Sequence, residues 1–262
     1  MKTVSLGWKK LYKDTYCLQD DGPASKVNLF LLVGSEHALL IDSGYGLLDL
    51  PALVKEITPK PVILVNTHGH LDHANGSWQF SEVYLRSEDF ALYQNHCSSE
   101  FLHDSFPKPT ERLSAMITAS LAKMLPLDEL KEFNLGGRII AVLQVPGHTR
   151  GSVFLIDEAN HAAFTGDNLC KAIWLSLPES VSVGEYREVL AKLLPQMREK
   201  KIWWNYFAHI TGKTFIQSDI KKFIDCCDAI LAGKKQPRFM DFGMTSGNFL
   251  GKRGRYILYP KK

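Results

Sequence analysis

The chain has 262 residues, a hydrophobic fraction of 45%, a charged fraction of 23% and a formal net charge of +3. That length can bury a substantial core as one large domain, or at most two small ones, and so mild a charge does not suggest nucleic-acid binding, which normally shows a concentrated basic patch. No apolar stretch approaches the roughly 20 residues needed to span a bilayer. The N-terminus has Lys2 but no apolar signal core, so a cytoplasmic location is expected. Two short charged runs, Arg198-Glu199-Lys200-Lys201 and Lys252-Arg253-Gly254-Arg255, read as solvated surface. The cysteines, Cys17, Cys97, Cys170, Cys226 and Cys227, suit neither a disulfide framework nor a zinc knuckle, and reduced thiols are expected.

In chain order, Leu11 to Leu18 and Asn28 to Val33 read as strands, with the turn region Asp20-Asp21-Gly22-Pro23 between them. Ala38 to Ile41 is a further apolar strand and ends in Asp42-Ser43-Gly44. Leu47 to Ile57 has helical spacing, closed by Pro59 and Pro61. The apolar run Val62-Ile63-Leu64-Val65 then has the look of a buried strand. After Asn66-Thr67 come four potential metal ligands: His68, His70, Asp72 and His73. Residues two apart on an extended segment face the same way, so His68 and His70 can close on one ion. Past the turn, Asp72 and His73 can face a second. Neutral imidazole and ionised carboxylate are the forms zinc requires.

Asn75 to Phe80 starts a helix and Val83-Tyr84-Leu85 is a short strand. From Ser87 to about Leu130 the pattern is helical, with Leu113, Met116, Ile117, Leu121, Met124 and Leu125 at helical spacing and Pro107 and Pro109 breaking it. His96 and His103, inside this stretch, read as surface or hydrogen-bonded histidines. Gly136-Gly137 closes the region, and the strand Arg138 to Val145 runs into Pro146-Gly147-His148-Thr149, which puts His148 at a strand end as His68 is. Val153 to Ile156 and Ala162 to Asp167 are the next strands, the latter ending in Gly166-Asp167, with Cys170 three residues on as a core side chain. The helix Glu185 to Arg198 and the strand Ile202 to Phe207 lead to Ala208-His209. Phe215 to Leu231 is a closing helix, and Arg238 to Pro260 reads as irregular, ending in the strand-like Tyr256 to Tyr259.

His68-Gly69-His70-Leu71-Asp72-His73 resembles the H-x-H-x-D-H signature of the metallo-β-lactamase superfamily of hydrolases. Asp42-Ser43-Gly44 resembles the D-[TS]-G turn that precedes the family's metal loop. Pro146-Gly147-His148-Thr149, followed by Gly151-Ser152, and Gly166-Asp167 resemble its later motifs. Ala208-His209-Ile210 departs from the family's Gly-His-Gly and keeps only the histidine. The resemblance runs from about residue 27 to 210. It implies an α/β (α+β) fold: a single four-layer αββα sandwich over residues 1–262, two mixed sheets flanked by helices. The insertion at about 87–130 is then a candidate lid or dimer surface, or else an ordinary helix packed on the sheet.

The same resemblance implies two divalent metal ions, zinc in the first place, with iron or manganese as alternatives. His68, His70 and His148 hold the first ion, Asp72, His73 and His209 the second, and Asp167 bridges them. A bridging hydroxide attacks a carbonyl or phosphorus, while Asp72 orients it and relays its proton to the leaving group. Two divalent ions against two carboxylates and a hydroxide leave the centre mildly positive, suited to an anion that develops during reaction. Asp42 has two readings, a hydrogen-bonding support of the metal loop or a turn-capping aspartate.

True class B1 β-lactamases place a cysteine where this chain has Asp167, and they are secreted. Hydroxyacylglutathione thioesterases and acyl-homoserine lactonases share the aspartate, so a small ester, thioester or lactone is the expected substrate. Lys171 and Trp174 either contact an acidic or apolar substrate group or belong to the surface. tRNA-processing relatives carry a basic exosite that this sequence lacks. A small-molecule phosphodiesterase is the second reading, and iron-dependent oxygen chemistry of the persulfide-dioxygenase kind a third. Flavodiiron proteins replace the second motif histidine with Glu, which His70 argues against. A non-enzymatic member would be expected to have lost ligands. The expected partner is a small-molecule substrate, with no nucleic acid or membrane, and a homodimer is compatible with the sequence.

Overall fold

The computed structural model describes residues 7–106, 108, 110–233, 237–241 and 245–260. Pro107 and Pro109, expected as helix breakers, lie outside the described residues. The chain forms two compact units, residues 1–140 and 141–262.

The first unit is built on a seven-stranded sheet whose strands lie side by side in chain order. β1 (Trp8–Tyr12) and β2 (Thr15–Asp21) form a hairpin, where a single strand Leu11 to Leu18 was expected. The break falls at Asp14, whose left-handed φ of 52° an aspartate tolerates better than most residues. β3 (Lys26–Val33) and β4 (Ala38–Ile41) continue the antiparallel half. α1 (Leu50–Ile57) starts three residues later than the apolar spacing predicts, because the Asp49 carboxylate caps it by accepting the Ala52 N–H at 3.2 Å. That crossover makes β5 (Val62–Val65) parallel to β4.

α2 (Leu71–Ala74) and a 3-10 turn over Asn75–Gln79 carry the chain to β6 (Glu82–Leu85), parallel to β5. α3 (Phe90–His96), α4 (Ser99–Ser105) and α5 (Glu111–Thr118) follow. The helical stretch ends there and not near Leu130: Lys123–Pro126 is β7, parallel to β6. Met124 and Leu125 continue the helical spacing of α5 in sequence, yet a short apolar run fits a strand equally well. The Lys123 N–H bonded to the Ser81 carbonyl at 2.9 Å commits it to the sheet. β8 (Glu132–Asn134) ends in Gly136-Gly137, both at positive φ as a tight reversal requires.

In the second unit the last four residues of β9 (Ile139–Gln144) pair with β10 (Val153–Asp157), and β10 pairs with β11 (Ala162–Phe164). After β12 (Ala172–Trp174), α6 (Val183–Glu199) opens with a capping box between Ser182 and Glu185, two residues ahead of the expected start. β13 (Trp204–Tyr206) runs parallel to β11, and β14 (Thr214–Phe215) completes that sheet before α7 (Ile216–Leu231). The stretch 238–260, expected to be irregular, holds β15 (Arg238–Asp241), β16 (Ser246–Lys252) and β17 (Arg255–Tyr259). They form a second sheet in the order β12-β17-β16-β15. Its glycines hide the strand pattern, but they are needed: a Cβ at Gly251 would lie 2.3 Å from the Tyr256 ring, which stacks on Phe249. Tyr186, Leu190 and Met197 of α6, Ile220 and Phe223 of α7, and Phe154 of β10 form this unit's core. Among the described residues no helix is long and apolar enough to cross a membrane.

Candidate functional site

In the first unit the parallel strands β4 and β5 deliver Asp42 and Thr67 side by side. Asp42 Oδ1 accepts the Thr67 N–H at 2.6 Å, and Oδ2 accepts both the Thr67 hydroxyl at 3.0 Å and His73 Nδ1–H at 2.8 Å. Of the two readings of Asp42, loop support is the one observed. With its own hydroxyl hydrogen committed to Asp42, Thr67 Oγ1 accepts from His68 Nδ1 at 3.1 Å. His68 and His73 thus both carry their ring proton on Nδ1 and a lone pair on Nε2. The rings of His68 and His73 have centroids 4.0 Å apart, those of His68 and His70 4.8 Å, and Asp72 Oδ2 lies 3.7 Å from His73 Nε2. All four candidate metal-ligating residues of the motif are therefore gathered at one place, and the three histidines are buried.

Further residues support this loop. The Gly69 N–H donates to Asp89 Oδ2 at 3.0 Å, and a Cβ on Gly69 would lie 2.9 Å from the Asp89 carbonyl oxygen, so the residue between the two histidines has to be glycine. The Leu71 N–H donates to His96 Nδ1 at 3.3 Å, and the His96 ring stacks on His70. Sequence reasoning did not find His96 as part of the loop. It lies 25 residues beyond Leu71, and nothing in its neighbours marks a ring that packs on a ligand.

Behind the loop, Asp20 is buried and takes the Leu47 N–H at 3.3 Å. Burial pushes its carboxyl up to about 6, against the pull of the Leu47, Gly46 and Tyr45 N–H groups and of Arg112. Arg112, on α5, donates Nε–H to the Gly46 carbonyl at 2.7 Å, bonds the Leu48 carbonyl, and lies 4.8 Å over the Trp78 ring.

In the second unit, His148 donates its backbone N–H to Asn168 Oδ1 at 2.7 Å and Nδ1–H to the Trp174 carbonyl at 2.9 Å. A carbonyl only accepts, so this histidine too carries its lone pair on Nε2. Asp167 directs one carboxylate oxygen to each histidine, Oδ2 at 3.5 Å from His148 Nε2 and Oδ1 at 3.2 Å from His209 Nε2. Trp174, a candidate substrate contact from sequence, acts here through its backbone, and Lys171 is exposed. Cys170 is a packed thiol: Sγ lies 3.4 Å from the Gly166 carbonyl and 3.6 Å from Asp167 Oδ1. Burial first, and the Asp167 charge second, push it up to about 12.

The loops that carry Asp167 and His209 share a buried network. Thr165 Oγ1–H donates to Asn205 Oδ1 at 2.7 Å, and Asn205 Nδ2–H donates to Asp219 Oδ2 at 3.0 Å. Asp219 also takes the Thr214 hydroxyl and pairs with Arg255. Arg255 is buried, which corrects its reading as part of a solvated charge run: its partner, 36 residues earlier, is invisible in the local sequence. As donors, imidazoles fixed with Nε2 outward and aspartate carboxylates suit a divalent ion such as zinc, iron or manganese.

The sequence matches the family model described as "Metallo-beta-lactamase superfamily" over residues 22–84, a window that holds Asp42, His68, His70, Asp72 and His73. The fold agrees: a metallo-beta-lactamase family protein from Thermus thermophilus superposes with a TM-score of 0.62 at 20% identity, over 86% of this chain and 82% of that one. Residues 22–84 are thus similar to the metallo-β-lactamase superfamily, and the fold is that of a metallo-beta-lactamase family protein. Among curated relatives the chain is 31% identical over 162 residues to the acyl-coenzyme A thioesterase MBLAC2 of Homo sapiens, over 55% of this chain and 58% of the relative. It is 29% identical over 135 residues to the hydroxyacylglutathione hydrolase GloC of Haemophilus influenzae, over 51% of this chain and 62% of the relative. The chain thus spans less than two thirds of the length of these relatives.

Proposed function

We propose that the protein is a metal-dependent hydrolase of small acyl thioesters. In this reading His68, His70 and His148 hold one divalent ion, Asp72, His73 and His209 hold a second, and Asp167 is shared; zinc is the first candidate for both. The observation that carries it is the fixed tautomer of His68, His73 and His148, each with Nδ1–H donated away and the Nε2 lone pair presented. The thioester class is supported by the names of the similar proteins, an acyl-coenzyme A thioesterase and a hydroxyacylglutathione hydrolase.

Bound divalent ions would supply Lewis acidity at the carbonyl oxygen and hydroxide at neutral pH. The chain's own residues do the rest. Asp42 and Thr67 keep His68 and His73 in the metal-binding tautomer. The Asp72 carboxylate orients the attacking oxygen, takes up its proton and passes it to the departing sulfur. A thiol titrates at about 8.5, so a thiolate leaves with less help from an acid than an alkoxide would, and one carboxylate suffices as proton carrier. The substrate is a small molecule in a reducing cytoplasm, in keeping with five unbridged, buried cysteines.

The test is hydrolysis by the zinc-loaded protein, with a chelated control, of an acyl-coenzyme A, an S-acylglutathione, a lactone, an aryl ester and a phosphodiester. Chelator-sensitive turnover highest on the thioesters is expected. Turnover of the phosphodiester alone would replace this reading with a phosphodiesterase. Silence across the panel, with iron in the purified protein, would replace it with oxygen chemistry.

A further inference from the structure

We propose that His96 is a positioning residue for His70, fixing the plane of its ring by stacking. The inference rests on the reading of His70 as a metal ligand. Three rings stand in a file: His96 lies 5.1 Å from His70 at an interplanar angle of 19°, and 4.1 Å from Phe101 at 17°. His96 is thus held from behind by Phe101 of α4 and presses its other face on His70.

The backbone on either side of His70 is tied to the same helix. Gly69 donates its N–H to Asp89, immediately before α3, and Leu71 donates its N–H to His96, the last residue of α3. α3 therefore spans the ligand with an acceptor at each end and a ring against its imidazole. Because an N–H only donates, His96 Nδ1 is the acceptor and its ring proton sits on Nε2. His68 and His73 are oriented by hydrogen bonds that lead to Asp42, and His70 has an aromatic face against its ring. His70 is the residue before the first turn of α2, in extended backbone. A flat neighbour that limits rotation about its side-chain bonds decides where its nitrogens point.

The full chain is compared as wild type, His96→Phe, His96→Gln and His96→Ala, with thermal melting as a check on the fold. Phenylalanine keeps the stack and loses the acceptor, glutamine keeps an acceptor and loses the stack, and alanine loses both. In metal-free protein the His70 ring resonances, assigned with a His70→Asn variant, are expected to stay in place in His96→Phe and to move in the other two. In Co2+ titrations His96→Phe is expected to bind within about threefold of wild type, while His96→Gln and His96→Ala bind at least about tenfold more weakly with an altered absorption spectrum. Equal binding and unchanged spectra in all variants would overturn the proposal. So would a His96→Phe as impaired as His96→Ala, which would assign the effect to the Leu71 hydrogen bond. If wild type takes up no Co2+, the metal reading itself falls. The metal-free resonances then decide: a His70 signal that ignores His96→Ala overturns the positioning role, and one that moves in His96→Ala and not in His96→Phe sustains it.

Discussion

The Asp42 carboxylate accepts His73 Nδ1–H at 2.8 Å through the same oxygen that takes the Thr67 hydroxyl, so one side chain sets the proton positions of two histidines, His73 directly and His68 through Thr67. Asp42→Asn tests this. Asparagine tolerates the φ of 63° at this position, so the backbone is expected to stay in place. Its amide has one acceptor oxygen where three donors converged on two, and its NH2 group opposes a donor. The expected outcome is zinc affinity lower by about 10–100-fold, read by competition with a chromophoric chelator. Unchanged affinity would mean that the tautomers are set elsewhere.

Asp72 makes a sharper case because its side chain is 22% exposed, so its removal leaves no core cavity. Asp72→Ala is expected to keep the wild-type melting profile and lose turnover by ~10³-fold or more, since in the proposed mechanism it removes the proton carrier as well as a ligand. A variant within tenfold of wild type on the preferred thioester would take Asp72 out of this role.

The motif could be read in advance because its residues lie together in the sequence: Val62–Val65 is β5, and His68, His70, Asp72 and His73 follow it at once. β4 and Asp42 were visible for the same reason. What the sequence concealed depends on partners far along the chain. Met124 and Leu125 kept a helical spacing and became a strand, because β6 offered a parallel edge. Arg255 sits in a basic run and is buried because Asp219 faces it. His96 read as a surface or hydrogen-bonded histidine, and it does accept the Leu71 N–H, but its stack on His70 was hidden because a ring stack has no spacing rule. Asp20, in an expected turn, is strand, and its burial comes from the loop after Asp42 folding over it.

Asp20 gives a pH dependence. Its folded carboxyl is pushed up from 3.8 to about 6, chiefly by burial, so the folded state binds the proton more tightly than the unfolded one. Stability from this group is therefore fully present below about pH 4 and is lost as pH rises through about 6. Asp20→Asn removes the charge that burial disfavours and leaves an oxygen for the Leu47 N–H. The variant is expected to melt higher than wild type at pH 7.5, with the gap shrinking toward pH 4; the upper limit is about 3 kcal/mol. Melting curves across that range check it, and a gap that grows on acidification would contradict the sign.

Asp219 carries the second unit's buried polar network, so its loss acts on stability and on the ligand loops together. Asp219→Ala strands the Arg255 guanidinium without its carboxylate in a site 7% exposed, at a cost of about 3–5 kcal/mol. For a chain of this size that lowers Tm by roughly 10 °C. Asp219→Asn keeps an oxygen for the Asn205 amide and the Thr214 hydroxyl, but loses the charge and turns its NH2 group toward the Arg255 N–H that Oδ1 accepted, so it is expected to melt between the alanine variant and wild type. Asn205 also bonds Thr165, two residues before Asp167, and lies four residues before His209. The order of the two variants in zinc affinity is therefore expected to follow their order in Tm. If both variants fell in Tm and kept wild-type affinity, the network would stabilise the unit without orienting Asp167 or His209.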